Sequence, residues 1–315
     1  MRKTLTFFLG GVLMLSALGG CDDRDGGKPR ARAAHHVSIL PTARFGAGWS
    51  NVADGRTSIW RFAEQPDSPA PPDSLDSIRA ALAANMLPPR DSVRVAELIG
   101  RVARAVPPEA PAPAGTPPGP DARNEQSEAM VTTSPWNDHT WLLWVSVSGL
   151  DRLGRRVVSI DFNPASVTSF RPLGDVAALP GPQGADGRAQ ALYELSPAPD
   201  GPQSPGVVYA VLHVGGGGGP MLDRPIGPGN FIDSIDNAPD VVRFAAAVAE
   251  FAELLRGDPA VRDLSCADVI AQAESADKPD PDGVRAETIG LMRRAEPLID
   301  QPPSDPSSPA EEQAR

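Results

Sequence analysis

Chemistry in this chain would have to come from few residues, because its 315 positions hold four histidines and two cysteines. His35 and His36 stand together, but a metal site needs three or four ligands around the ion, and no cysteine or carboxylate follows at ligand spacing. The pair reads as surface histidines, and neither a metal nor a cofactor is expected. His139 follows Asp138, which would suit a general base and its orienting carboxylate. Turn residues before a strand explain the same pair more simply. His213 shares a strand face with Tyr209 and reads as a packed histidine with a satisfied ring. No Gly-x-Ser-x-Gly, His-Glu-x-x-His or paired cysteines accompany them. The chain therefore reads as no enzyme, the alternative being a hydrolase that uses His139 or His213. Cys266 lies at the front of a predicted helix beside Ser265, where a small buried residue is a better reading than a nucleophile. The run Gly215 to Gly219 lacks the Gly-Lys-Ser/Thr and the helix of a phosphate loop, so it reads as a flexible loop.

Cys21 has a different chemistry. Arg2-Lys3, an apolar run from Leu5 to Leu18, and Leu18-Gly19-Gly20-Cys21 form a bacterial lipoprotein signal, with cleavage between Gly20 and Cys21. The run is too short to span a bilayer. Acyl chains on Cys21, at about 0.8 kcal/mol per buried methylene, would anchor the chain to a membrane of the bacterial envelope. Asp22 resembles a retention signal and favours the periplasmic face of the inner membrane over the outer membrane. With Cys21 acylated, Cys266 is the sole thiol and no intramolecular disulfide can form.

Composition bounds the rest. The chain is 41% hydrophobic but only 5% aromatic, and 36 prolines with 30 glycines mean that much of it lies outside packed structure. A net charge of -11 removes long-range attraction for nucleic acid or anionic lipid. Neither class of partner is expected.

The elements follow from periodicity and punctuation. Residues 1–20 are the signal and 21–56 a tether. Residues 57–106 hold a weak edge strand at Thr57 to Phe62, then a helix pair. Asp73 caps the first helix, with Leu75, Ile78, Leu82 and Met86 on one face; Pro88-Pro89 ends it, and Asp91 or Ser92 caps the second. Residues 107–133 read as a disordered Pro-rich linker. In 134–299, Trp141, Leu143, Val145 and Val147 alternate with Leu142, Trp144, Ser146 and Ser148, and Val158, Ile160 and Phe162 alternate with Val157, Ser159 and Asp161. A hairpin joining these runs is the simple reading. A third strand spans Ala189 to Leu195 and a fourth, central one Val207 to Val214. Helices follow: one from an Asp240 cap to Gly257, one opened by the Ser265/Asp268 capping box, and one after Asp282. Residues 300–315 are a disordered tail. The fold class is α+β: a small, mostly antiparallel sheet of about four strands packed with N-terminal and C-terminal helices.

Several of these residues carry a resemblance. Pro135-Trp136-Asn137, His139, Leu142-Leu143 and Gly149, then Phe162-Asn163-Pro164, Phe170-Arg171, Leu173-Gly174 and Ala191-Leu192-Tyr193-Glu194, resemble segments of bacterial lipoproteins that carry a von Willebrand factor type A domain. Upstream, Leu87-Pro88-Pro89, Asp91, Val93-Arg94-Val95 and Glu97-Leu98 resemble the family's N-terminal segment, and Phe244 with Ala247 to Ala252 and Leu254-Leu255-Arg256 resembles its late helix. The likeness runs from about Thr57 to Ala295. The A domain itself, which the family places between the first two groups, is missing here. Its Asp-x-Ser-x-Ser cation loop has no counterpart: Asp73-Ser74-Leu75-Asp76-Ser77 has Leu at the third position and opens a helix, and Asp151 is followed by Arg152-Leu153. The resemblance thus implies the ancestry and address of an envelope lipoprotein, without the family's metal site. The function expected of the chain is that of a non-catalytic protein-binding or scaffolding module for another envelope protein, with Trp136 and Trp144 as the candidate partner surface. The competing reading is a degenerate remnant with no dedicated ligand.

Overall fold

The structure is a computed structural model. It describes residues 48–62, 73–104, 127–150, 156–176, 187–199, 208–216, 219–261, 263–276, 280 and 282–300. Among them are ten strands and five α-helices: β1 (Ser50–Asn51), β2 (Thr57–Trp60), α1 (Ser74–Ala83), α2 (Val95–Arg104), β3 (Ser127–Ser134), β4 (Asn137–Val147), β5 (Arg156–Phe162), β6 (Val167–Leu173), β7 (Ala189–Pro197), β8 (Ala210–Gly216), β9 (Gly219–Ile226), β10 (Phe231–Ile232), α3 (Asp240–Arg256), α4 (Cys266–Ser275) and α5 (Val284–Ile299). The α+β class holds. The expected sheet of about four strands is instead two sheets: six strands in the order β1-β6-β7-β4-β3-β10, and four in the order β2-β5-β8-β9. All pairings are antiparallel except that of β10 with β3.

The expected hairpin between residues 141–147 and 157–162 is not formed. Strand β4 pairs with β3 and β7 in the six-stranded sheet, and β5 pairs with β2 and β8 in the other. Their different burial explains the separation. Strand β4 is apolar on both faces, so it needs a layer on each side, whereas β5 is apolar on one face only and suits an outer layer.

The layers stack as helices, six-stranded sheet, four-stranded sheet. Leu142, Trp144, Leu173 and Leu192 face the helices and join one apolar core with Ile78, Ile99, Phe244, Val248 and Phe251. Leu143, Val145, Val131 and Tyr193 point the other way and form a second core with Val158, Ile160, Phe162 and Leu212. Polar clamps cross the second core at its edges. The Tyr193 hydroxyl accepts from Trp60 Nε1 at 2.8 Å and pairs with Ser58 Oγ at 3.0 Å, and burial pushes its ionisation up to about 12. The Arg224 guanidinium donates to the Ser127 carbonyl, joining β9 to β3.

Three longer strands correct the sequence reading, beside the two-residue β1, which lies within the residues read as tether and pairs with β6, and β10, which pairs with β3. Residues 127–133, read as the end of a linker, belong to β3. Residues 219–226, read as loop and following segment, are β9, whose pairing with β8 runs from Gly216↔Gly219 to Ala210↔Ile226. Strand β6 was also not anticipated. All three carry proline, glycine or a polar run in place of clean alternation, and their partners from distant sequence decide their state.

The helices follow their punctuation more closely. Asp73 caps α1, its Oδ1 accepting from the Leu75 amide at 2.8 Å. Asp91 and Ser92 do not cap α2; they lie in a 3-10 turn at Arg90–Ser92, where Ser92 Oγ donates to the Pro89 carbonyl. The Glu97 carboxylate of α2 instead accepts from Ser74 N and Ser74 Oγ of α1, so the helix pair caps itself across the interface. Pro239 and Gly257 bracket α3, and Gly257 takes the left-handed conformation that terminates a helix (φ +62). Ser265 caps α4 through the Asp268 amide, as read. Gly174, at the end of β6, lies so close to α2 that a Cβ there would stand 2.6 Å from Ala96 N. Glycine at that position lets the helix layer settle onto the sheet.

Candidate functional site

Two constellations stand out, each a basic side chain between two carboxylates, on opposite sides of the six-stranded sheet. The first lies on the outer face of the four-stranded sheet, which no described element covers. Alternation along β2, β5, β8 and β9 puts Thr57, Ile59, Val157, Ser159, Asp161, His213 and Asp223 on this face. Register sets Ile59, Ser159, His213 and Asp223 in one row across four strands. His213 Nδ1 lies 2.7 Å from Asp223 Oδ1, and its Nε2 lies 3.7 Å from Asp161 Oδ2. Thr57 Oγ1 donates to the other oxygen of Asp161 at 2.6 Å. The His213 side chain keeps 21% of its surface exposed.

This row has a Ser, a His and an Asp, the residue types of an acyl-transfer triad. An acyl-transfer site needs an Nε2 free to take the nucleophile's proton and amide donors for the oxyanion. Here Nε2 faces Asp161, and the strands around Ser159 run in continuous ladders with β2 and β8, which engage the amides an oxyanion would require. The two ring nitrogens also point to separate carboxylates, a geometry unsuited to chelating one ion. Among the described residues no three His, Cys, Asp or Glu side chains are grouped to hold a metal. What the face does offer is apolar surface: Ile59 and Val157 are 47% and 46% exposed.

The second constellation is buried beneath the C-terminus of α3. Arg171 of β6, whose side chain is 6% exposed, donates through Nε to Glu194 Oε2 at 2.7 Å and through Nη1 to Asp258 Oδ2 at 3.0 Å. Thr140 of β4 donates to the second oxygen of Glu194 at 2.7 Å. The Trp49 ring stacks on the guanidinium. Burial works against the charge on Arg171, but Glu194 and Asp258 more than offset it and hold the guanidinium protonated. Burial pushes the neighbouring Glu253 up to about 7, and Asp258 adds to that. Sequence reasoning missed this cluster. Its signal was present in the doublets Phe170-Arg171 and Tyr193-Glu194, where a charge stands at the alternate position of a strand whose other face is apolar.

The residues singled out by sequence fall in different places. Gly20, Cys21, Asp22, His35, His36 and Asp151 lie outside the described residues. Trp144 is 2% exposed within the helix-side core, with Nε1 donating to Gln190 Oε1 at 3.3 Å, so it is removed from any partner surface. Trp136, in the turn between β3 and β4, packs partly buried against the same core, its Nε1 buried without a partner. It too turns inward, for the apolar α-helical layer takes both rings. His139 and Asp138, read as turn residues before a strand, lie instead in the first residues of β4, largely exposed and 3.5 Å apart, away from His213. Cys266 is fully buried against the Met292 carbonyl, and burial pushes its thiol up to about 12, which withholds the thiolate. No helix among the described residues is long and apolar enough to cross a membrane.

No curated protein and no solved structure matches this chain. Residues 221–298, from within β9 through α5, match the family described as "Uncharacterized protein YfbK, C-terminal".

Proposed function

We propose that this chain is a non-catalytic lipoprotein of the bacterial cell envelope, held to the membrane through Cys21, whose folded part binds another envelope protein. The observation that carries this reading is the outer face of the four-stranded sheet. Helices cover the six-stranded sheet on one side only, and the far side of the stack presents Ile59 and Val157 to solvent, bordered by Thr57, Asp161, His213 and Asp223. Apolar side chains ringed by polar ones are the anatomy of a protein interface. This face takes the role first given to Trp136 and Trp144.

We also propose descent from the von Willebrand factor type A lipoproteins, with the A domain missing. The match over residues 221–298 supports the C-terminal part of that relationship. Topology supports the rest. The family's A domain would sit between β4 and β5, where the chain passes from one sheet to the other, so an insertion there breaks no ladder.

The test is site-specific photocrosslinking in intact cells, with the crosslinker at Ile59 or Val157 and, as a control, at Arg79 on the helix side. One protein crosslinked from both sheet positions, absent from the control and lost in an Ile59→Arg/Val157→Arg chain that still folds, is the expected result. Crosslinks indistinguishable between faces would remove the surface, and a Cys21→Ser chain still released in processed form would remove the anchor.

A further inference from the structure

Register puts a depression in the outer face of the four-stranded sheet. On one face of a sheet, neighbours stand about 5 Å apart across strands and about 7 Å apart along a strand. Ser159 therefore has Ile59 and His213 on either side across the sheet, and Val157 and Asp161 on either side along β5. All four side chains are longer than its own. They leave Ser159 only 9% exposed at the floor, and its hydroxyl makes no hydrogen bond among the described residues. Gly215, opposite Val157, has no side chain and extends the low ground past His213. Two of the walls, Ile59 and Val157, are aliphatic and half exposed. A third is the Asp161 carboxylate: Oδ1 accepts from Thr57, whereas Oδ2 lies 3.7 Å from His213 Nε2, beyond a hydrogen bond. The face is also acidic. Asp161 and Asp223 outweigh one imidazole in either of its protonation states. The Arg224 guanidinium turns to the Ser127 carbonyl on the opposite side, and Arg61, just past β2, makes no ion pair with either carboxylate among the described residues.

We propose that the protein bound on this face enters it with a lysine or arginine, whose stem lies on Ile59 and Val157 and whose charged head reaches the Asp161 carboxylate and the Ser159 hydroxyl. The inference rests on this face being the partner surface and names the chemistry that the surface recognises. Three kinds of side chain could fill the depression, and the walls choose among them. A purely aliphatic one would cover Ile59 and Val157 but leave Asp161 Oδ2 and Ser159 Oγ cut off from water without a partner. An acidic one would meet Asp161 and Asp223 as like charges. Lysine and arginine carry both parts required, an apolar stem and a cationic head that donates to a carboxylate and a hydroxyl together. Asp223, at the far end of the row, adds attraction without contact.

The experiment uses the full chain in intact cells with a photocrosslinker at Val157, which leaves Ile59, Ser159 and Asp161 in place. Peptide mapping is expected to find a lysine or arginine beside the crosslinked residue of the partner. Asp161→Asn, whose amide oxygen still accepts from Thr57, should lower the crosslink about tenfold or more, and Ser159→Leu, which fills the depression, should abolish it. Asp161→Lys combined with an aspartate in place of the partner's cation should restore it. The same protein crosslinked undiminished from Asp161→Asn and Ser159→Leu chains, or through a stretch without lysine or arginine, overturns the cationic side chain and leaves the partner surface standing; a second copy of this chain is judged by the same criteria. No crosslink from the sheet face at all removes both. If either variant does not fold, the unmodified chain decides: methionine in place of the partner's cation must lower the crosslink, and an unchanged yield overturns the proposal.

Discussion

Arg171 and His213 each sit between two carboxylates, yet the two clusters differ in almost every energetic respect. Around Arg171 the partners are Glu194, 2% exposed, and the half-sheltered Asp258; around His213 they are Asp161 and Asp223 on an open sheet face. A buried ion pair contributes little net stability when intact, because desolvation offsets attraction, but breaking it strands a charge in a low dielectric. An exposed one is screened and contributes little either way. The comparison separates a polar group that fixes architecture from one that shapes a surface.

The comparison is broken most severely at Arg171. Arg171→Met leaves Glu194 and Asp258 without their cation and should destabilise the fold by about 3–5 kcal/mol in chemical denaturation. Adding Glu194→Gln should restore part of the loss, since the stranded charge is then removed; no restoration would mean that the guanidinium acts through packing.

A second effect comes from proton binding on α3. Burial pushes Glu250 up to about 7, against which Gln272 offers a single hydrogen bond at 3.1 Å. The folded chain keeps this proton where the unfolded chain, with an ordinary value of 4.5, has lost it. Stability is therefore full below about pH 4.5 and declines as pH rises to about 7, by up to about 3 kcal/mol for this residue. Glu250→Gln should flatten part of the decline, and the remainder belongs to Glu253. A melting temperature that rises between pH 5 and 7 would contradict both.

Smaller effects complete the series. Gly257→Ala places a side chain at φ +62 and should cost about 1 kcal/mol, the Arg90 guanidinium yielding to the new methyl. His213→Gln should change stability by less than about 1 kcal/mol, and by less still at high salt. A loss comparable to that of Arg171→Met would show that the outer sheet face is structural, and would weaken its assignment as a partner surface.

Helices were legible because their ends are written in local chemistry. Asp73, Pro88-Pro89, Ser265 with Asp268, and Gly257 mark them within a few residues. Strands β4, β5, β7 and β8 were legible from alternation. Which strand pairs with which was not, because pairing is decided between residues such as Ser58 and Ile160, or Thr132 and Leu142, whose compatibility depends on layers that the sequence does not display. Strands such as β3, with Ser, Glu and Thr throughout, take their state from β4 alongside. His213 could be named in advance, but Asp161 and Asp223 could not be set beside it without the register. Arg171 and Glu194 were hidden by their polarity, which on a strand ordinarily means solvent and here means a second buried face.

The division of β4 and β5 between two sheets bears on the order in which the fold can form. A chain that emerges from its N-terminus holds β2 and β5 as a two-stranded ribbon until β8 and β9 arrive, some fifty residues later, and α3, which supplies much of the apolar core on the helix side, is later still. Neither apolar core can close before most of the chain is available, so folding is concentrated at the end of emergence. Until then the apolar run from Trp141 to Val147 in β4, the longest strand among the described residues, has only α1 and α2 of the helical layer on its Trp144 side and lacks α3 to α5. That run is the segment most in need of a holding chaperone, and the one where premature pairing between two copies would begin.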